Sequence, residues 1–373
     1  MVQVLKISSD IPYGRQTVSE EDIKSVEAVL RSDFLTQGPR VEEFEEAVAE
    51  RVEARHAVAF SSATAALHGA AWVASQEGFR RPVVPDLTFI ATFNAPAYVG
   101  LKPHIADVDD STWNLDFATV PRRADLLLPV HFAGLPVDLR GMPNRIARKS
   151  CFVIEDASHA LGATTPYGPV GNNFFSDLTC FSFHPVKPIT TGEGGMVTTN
   201  DESFRDALRE FRSHGIVRTP SAGAWTYDVR TLGFNYRMSD LHAALGLSQL
   251  SRLDSFLKVR EHISERYRQQ LAGLPLRFQS IDQEGFSSAN HLFAVRLADR
   301  NRVYREMHDQ GIRVQVHYVP LSSHSRVRDV SSRPKTPRSQ RIYEEILSLP
   351  IHPSLTAAEQ TRVIDALKRA LGQ

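Results

Sequence analysis

The sequence predicts an α/β fold in which a large domain is built on a mostly parallel sheet and a small α+β domain follows it. Three observations carry this. Short apolar runs of strand length (Leu126 to His131, Phe152 to Ile154, Thr179 to Phe183, Met196 to Thr199) alternate with helical stretches such as Leu139 to Lys149 and Glu202 to His214. Strands that alternate with helices pair in parallel beneath a helical cover. The run from Ser239 to about Leu271 contains no proline and reads as one long helix joining the two domains. From about Leu253 the pattern becomes helix, strand (His291 to Leu297), helix (Arg302 to Gln310), strand (Val314 to Tyr318) and a terminal helix from Thr356, which places the division at 1–250 and 251–373.

In chain order, Ser19 caps a helix with an acidic first turn, Glu20, Glu21 and Asp22, and an apolar face at Ile23, Val26, Val29 and Leu30. Asp33 to Gly38 is an irregular link to a second helix, Val41 to Arg51. After the strand Ala57 to Phe60, the small residues Ser61 to Ala66 open an alanine-rich helix. Free amides and the positive end of the dipole suit such a start to a phosphate, although Ser62 alone reads as an ordinary N-cap. The strand at Val83 and Val84 leads through Pro85 and Asp86 to Thr88, Phe89, Ile90 and Ala91 at the head of another helix.

Lys+Arg and Asp+Glu number 43 each, so no net charge recruits nucleic acid or a membrane surface. The only cysteines, Cys151 and Cys180, lie in apolar runs and read as reduced core thiols of a cytoplasmic protein. The opening MVQVLKISSD is too short and polar for a signal peptide, no apolar run approaches bilayer length, and no metal is expected.

The chemistry concentrates in FSFHPVKPITTGEGG, Phe181 to Gly195. Its one amine, Lys187, lies between Pro185 and Pro188, which hold it in a stiff, non-helical loop. An amine held this way, with its pKa lowered by burial, suits Schiff-base chemistry. Upstream, the strand ending in Asp156 puts a carboxylate where α/β sheets place ligand groups, and His159 follows three residues later. A lysine and a carboxylate meet the two needs of pyridoxal phosphate, an amine for its aldehyde and an anion for its ring nitrogen.

With these residues, the chain resembles the DegT/StrS-type, pyridoxal-phosphate-dependent nucleotide-sugar aminotransferases of fold type I. Within them it is similar to the UDP-4-keto-sugar aminotransferases of the pseudaminic acid pathway. The motifs are IPYGRQ (Ile11 to Gln16), DFLTQGP (Asp33 to Pro39), SSATAAL (Ser61 to Leu67), PVHFAGLP (Pro129 to Pro136), IEDASHALGA (Ile154 to Ala163), the lysine segment, GFNYRM (Gly233 to Met238), AALGLSQL (Ala243 to Leu250) and VQVHYVP (Val314 to Pro320). They occur in the family's order across nearly the whole chain.

The resemblance implies catalysis by Lys187, which carries the proton between donor and cofactor. It implies phosphate contacts from Ala63, Thr64 and Ser182, with Ala63 standing where many relatives have glycine. Phe89 lies on the cofactor ring, Asp156 at its nitrogen and His159 near its phenolic oxygen. Asn235 reaches the phosphate of a second copy, so the working unit is a homodimer. Tyr13, Asp33, Phe34, Leu35 and Thr36, with Val316, His317, Tyr318 and Val319, contact the nucleotide sugar. The implied donor is L-glutamate and the acceptor a UDP-linked, N-acetylated 4-keto-6-deoxyhexosamine.

The departure from the family is Leu321 to Arg341, a basic, serine-rich run without the aromatic cluster of many relatives. It reads as a solvated or mobile loop, or as arginines that meet a diphosphate. Two other functions stay open at this point. Relatives that dehydrate sugars replace the lysine, typically by histidine; here Lys187 is present and His184 lies three residues before it. A non-catalytic regulatory relative would be expected to have lost Lys187, Asp156 or the Ser61 to Thr64 segment.

Overall fold

The computed structural model describes residues 10–142, 150–218, 223, 225–281, 284–331 and 335–373. Among the described residues, seven strands form the main sheet: β1 (His56–Phe60), β2 (Pro82–Pro85), β3 (His104–Ala106), β4 (Leu126–Leu127), β5 (Phe152–Asp156), β6 (Leu178–Ser182) and β7 (Gly195–Thr199). Their order is β1-β7-β6-β5-β4-β2-β3. Only β7 runs antiparallel to its neighbours.

Both faces of this sheet are covered, which is why its strands read as apolar runs rather than alternations. Phe60, Ile154, Cys180 and Val197 pack on one side with the third helix of the chain, α3 (Ala63–Gln76), which follows α1 (Glu20–Leu30) and α2 (Pro39–Arg51); its Ala66, Ala70, Ala71 and Ala74 permit a close approach. Ala59, Phe181 and Met196 pack on the other with Phe44 and Val48 of the helix Pro39–Arg51. Both cysteines are free and buried. No helix among the described residues is long and apolar enough to cross a membrane.

A second, antiparallel sheet of Leu276–Phe278, Phe293–Leu297 and Ile346–Leu349 has its own apolar cluster, which includes Val303, Met307, Val363 and Leu367. Ile11–Pro12 pairs in parallel with Ile312–Arg313, so the start of the chain is fastened to this later part. The terminal helix Ala357–Ala370 begins after a Thr356 cap, where Thr356 and Glu359 bond each other's backbone amides.

Several expectations are corrected. The proline-free run from Ser239 is two helices, Asp240–Leu250 and Leu253–Gln270. At the break Gln249 and Arg252 turn toward the buried carboxylate of Asp22, a demand that helix propensity does not register. Ser19 does cap the helix Glu20–Leu30 in a reciprocal bond pair with Asp22, but only Val29 of its apolar face is buried, while Ile23 and Leu30 are 50% and 59% exposed.

The strand expected over Leu126 to His131 stops at Leu127, and of Val314 to Tyr318 only Gln315 bridges, to Ser348. The helix expected over Leu139 to Lys149 has a single 3₁₀ turn, Leu139–Gly141, and 143–149 lie outside the described residues, as do 1–9 at the polar start. Leu321 to Arg341 contains the helix Ser325–Val330 and the start of another, Pro337–Glu345. Arg338 pairs with Asp107 and Asp116, and Arg341 with Asp110 at 2.8 Å, so these two cations are spent on docking carboxylates.

Candidate active site

The carboxyl ends of β1, β2, β5 and β6 and the start of β7 surround one cavity of about 430 Å³. Each brings its groups by the same logic, since side chains just past a strand end escape the packed layers. From β1 the chain turns at Ser62, whose hydroxyl caps α3 by accepting from the Ala65 amide at 3.1 Å. The amides of Ala63 and Thr64, in the first turn of α3, have no carbonyl to reach within it. Across the same wall stands Ser182, at the end of β6.

Gly195 makes this corner possible. A Cβ there would stand 2.5 Å from the Ser62 carbonyl oxygen and 2.6 Å from the Ala63 nitrogen. Only a glycine lets the first residue of β7 lie against the helix start.

Asp156 closes β5 with its side chain buried. Its Oδ1 accepts from the Ser158 hydroxyl at 2.6 Å and amide at 3.2 Å, and its Oδ2 from the Thr92 hydroxyl at 2.7 Å. Thr92, so engaged, accepts from Thr88 at 2.8 Å. A carboxylate has about four acceptor sites, so capacity remains on Oδ2 toward the cavity.

Lys187 sits on the loop after β6, its own amide bonded to the His184 carbonyl at 2.9 Å. Burial lowers its amine to about 8, against the opposing pull of the Asp156 carboxylate. At neutral pH an appreciable share of the amine is therefore unprotonated.

On the opposite side, burial and then the charge of Lys187 hold His159 well below the usual imidazole range and His317 at about 3. Both rings are neutral. The Ala133 amide donates to His159 Nδ1 at 3.3 Å, which leaves the ring hydrogen on Nε2, 3.1 Å from the Tyr318 hydroxyl. His317 Nδ1 meets the Ser348 hydroxyl at 2.9 Å, and the His317–Tyr318 peptide is cis. Burial raises the phenols of Tyr318 and Tyr13, so both stay protonated.

The cavity thus gathers ten of the residues anticipated from sequence: Tyr13, Ala63, Thr64, Phe89, Asp156, His159, Ser182, Lys187, His317 and Tyr318. Phe89 is 54% exposed, so a face of its ring is free for a ligand. The others do not line the cavity of their own chain. Asp33, Phe34, Leu35 and Thr36 are exposed on a link fastened to the Asp240 end of its helix, with Leu35 accepting from the Asp240 amide and Thr36 bridging Ser239. Asn235 is exposed and its backbone bridges Ser213. Val316 packs against the same apolar cluster as Tyr13 and Tyr318, and Val319 is 39% exposed.

Sequence reasoning missed Ser158, Thr92 and Glu193. Ser158 had a signal, the Asp-x-Ser spacing that lets a hydroxyl bond back to the carboxylate. Thr92 had none, because it arrives on a helix 64 positions away from Asp156.

Proteins of known name resemble this chain along nearly its whole length. The chain is 34% identical to the UDP-4-amino-4,6-dideoxy-N-acetyl-beta-L-altrosamine transaminase of Campylobacter jejuni, over 96% of each chain. Its fold matches Helicobacter pylori PseC, an aminotransferase involved in the biosynthesis of pseudoaminic acid, with a TM-score of 0.91, 28% identity and coverage of 98% of this chain and 100% of that one. Spr1654 of Streptococcus pneumoniae, solved in a PLP-form, matches with a TM-score of 0.90 at 27% identity, over 97% of this chain and 99% of that one. Residues 16–368 match the family model described as DegT/DnrJ/EryC1/StrS aminotransferase, and this chain belongs to that family.

Proposed function

We propose that this aminotransferase uses pyridoxal phosphate to move an amino group from L-glutamate to a nucleotide-linked 4-keto-6-deoxy sugar, with a UDP-linked, N-acetylated hexosamine as the preferred acceptor. The observation that carries it is the convergence of Lys187, Asp156 and the α3 start on one cavity. These residues fit the cofactor. The amides of Ala63 and Thr64, with Ser182, offer an anion cradle at the cavity wall, and Asp156 has acceptor capacity left for a ring N–H.

When bound, pyridoxal phosphate supplies an electron sink beside the carbon that carries the amine. The chain supplies the rest. Lys187, with its amine near 8, can take a proton from the donor carbon and return it at neutral pH. Asp156 favours a protonated ring nitrogen, and its own hydroxyl partners keep it from rotating away. Tyr13, His317 and Tyr318 line the same cavity, and this reading gives them the sugar. The name of the Campylobacter relative, a transaminase of a UDP-linked amino sugar, supports UDP as the nucleotide.

The reading includes a homodimer, the division of each chain at 1–250 and 251–373, and action in the cytoplasm. The second sheet with its own apolar cluster supports the division, with Ile11 the one residue of the first part in that cluster, and buried free thiols support the compartment. Apolar side chains that a lone copy leaves exposed support the dimer: Phe34 and Leu35 on one segment, Tyr227, Leu232 and Phe234 beside Asn235 on another. Among the described residues no arginine lines the cavity, whereas the substrates carry carboxylates and a diphosphate, so a second copy completes the site. Asn235 belongs to that contribution.

The test is to supply purified protein with glutamate and, in parallel, UDP-, GDP- and dTDP-linked 4-keto sugars. Nitrogen in the sugar product and 2-oxoglutarate are expected with the UDP sugar and absent with Lys187→Ala. Normal turnover by Lys187→Ala, or a deoxy sugar without nitrogen, overturns the reading.

A further inference from the structure

Asp86 is a fully buried carboxylate at the carboxyl end of β2, outside the cavity. Its amide continues the sheet by donating to the Ala106 carbonyl at 2.9 Å. Among the described residues, every hydrogen bond its acceptors receive comes from the segment that follows Tyr318. The Leu321 amide donates to its carbonyl at 3.0 Å and the Ser322 amide to Oδ1 at 2.7 Å. The hydroxyls of Ser322 and Thr336 donate to Oδ2 at 2.8 and 2.5 Å, and Gln340 donates in turn to the Ser322 oxygen at 2.9 Å.

This bonding ties together two cavity walls. Phe89 is three residues after Asp86, and Tyr318 is three residues before Leu321, with the buried Pro320 stiffening the tether. The two rings lie 5.9 Å apart at 54°. A carboxylate only accepts, so all three side-chain contacts must point inward, and a single arrangement of Ser322 and Thr336 satisfies it. An asparagine would set an N–H against one hydroxyl and admit alternatives. A buried anion is costly without such partners, and no cation touches this one through a hydrogen bond or ion pair among the described residues. Burial, and next the charge of Asp107, push its carboxyl above the usual range.

We infer that Asp86 is a positioning residue: by holding Ser322 and Thr336 it sets the placement of Tyr318 against Phe89, and with it the grip on the acceptor sugar. The inference rests on the proposed reading of this cavity as the sugar aminotransferase site. It also gives a role to the serine-rich run that departs from the family, whose Ser322 and Thr336 serve as the other half of a clasp.

The test uses full-length protein loaded with pyridoxal phosphate, in single turnovers of each half-reaction, with a UDP-linked 4-keto-6-deoxy-N-acetylhexosamine as acceptor. Asp86→Ala should raise the keto-sugar concentration for half-saturation about tenfold, on the scale of lost hydrogen bonds, and leave the glutamate half-reaction within about twofold. Asp86→Asn should recover part of the loss. Thr336→Val, which removes one donor at constant shape, should move the same quantity in the same direction and serves where Asp86→Ala does not fold. Equal damage to both half-reactions, or an unchanged acceptor half-reaction in these variants, overturns the assignment alone. Wild-type protein that aminates no keto sugar overturns the reading beneath it and the assignment together.

Discussion

His159 Nε2 donates to the Tyr318 hydroxyl across 3.1 Å, because the Ala133 amide occupies the other ring nitrogen. The Tyr318 oxygen is thereby used as an acceptor and its own hydrogen is left for the cavity. A neutral imidazole is essential to this arrangement. Burial supplies it, and the Lys187 charge reinforces it.

Tyr318→Ala should therefore weaken keto-sugar binding by about tenfold, the scale of one lost hydrogen bond with its ring contacts. The ring also meets Phe89 and Phe132, so some loss is packing. Single-turnover measurements separate the two, because the glutamate half-reaction should be nearly intact. Equal loss in both would make Tyr318 a packing residue only.

The pH response of Lys187 follows from its lowered amine. Its charged form is disfavoured in the folded chain, so the neutral nucleophile grows as pH rises through about 8. Stability has the same sign: between about 8 and the ordinary 10.5 the unfolded chain binds more protons, so this residue's contribution rises with pH there and is fully lost below about 8. Stopped-flow uptake of pyridoxal phosphate by the apoprotein should accelerate with a midpoint near 8. A midpoint near 10.5 would contradict it.

For Asp156→Asn, the amide retains a bond to Ser158 or Thr92 but loses the negative charge that favours a protonated pyridine nitrogen. Turnover should fall by orders of magnitude while the phosphate stays anchored, as read by cofactor titration. Unchanged turnover with cofactor bound would remove Asp156 from this role.

Gly195→Ala forces a methyl into the Ser62 carbonyl and the Ala63 nitrogen, both backbone atoms that cannot rotate aside. The expected cost is about 1–3 kcal/mol of stability, seen as a lower melting temperature of the apoprotein. Weaker inorganic phosphate binding should accompany it. An unshifted melting curve would mean that α3 gives way freely.

What sequence made legible here was what short segments encode by themselves. Lys187 between two prolines, Asp156 at the end of an apolar run, Ser62 before an alanine-rich helix and the Ser19 cap each depend on neighbours within a few positions, and each stands where expected. Strand ends deliver groups to one edge of a parallel sheet whatever the loops do, so the meeting of Lys187, Asp156 and the α3 start on one cavity was readable from the sequence.

Tertiary structure decided the matters that turn on partners far away in the chain. The break after Leu250 answers to Asp22, more than 200 positions earlier, and the described part of the basic run is docked because Asp86, Asp107, Asp110 and Asp116 receive its donors. Asp33 to Thr36, Asn235, Val316 and Val319 lie off the cavity of their own chain for the same reason, since motif order carries no information about which side of the protein a segment faces. Local rules determine where a strand or helix ends; only the burial of charges and rings contributed by distant segments decides what stands opposite that end.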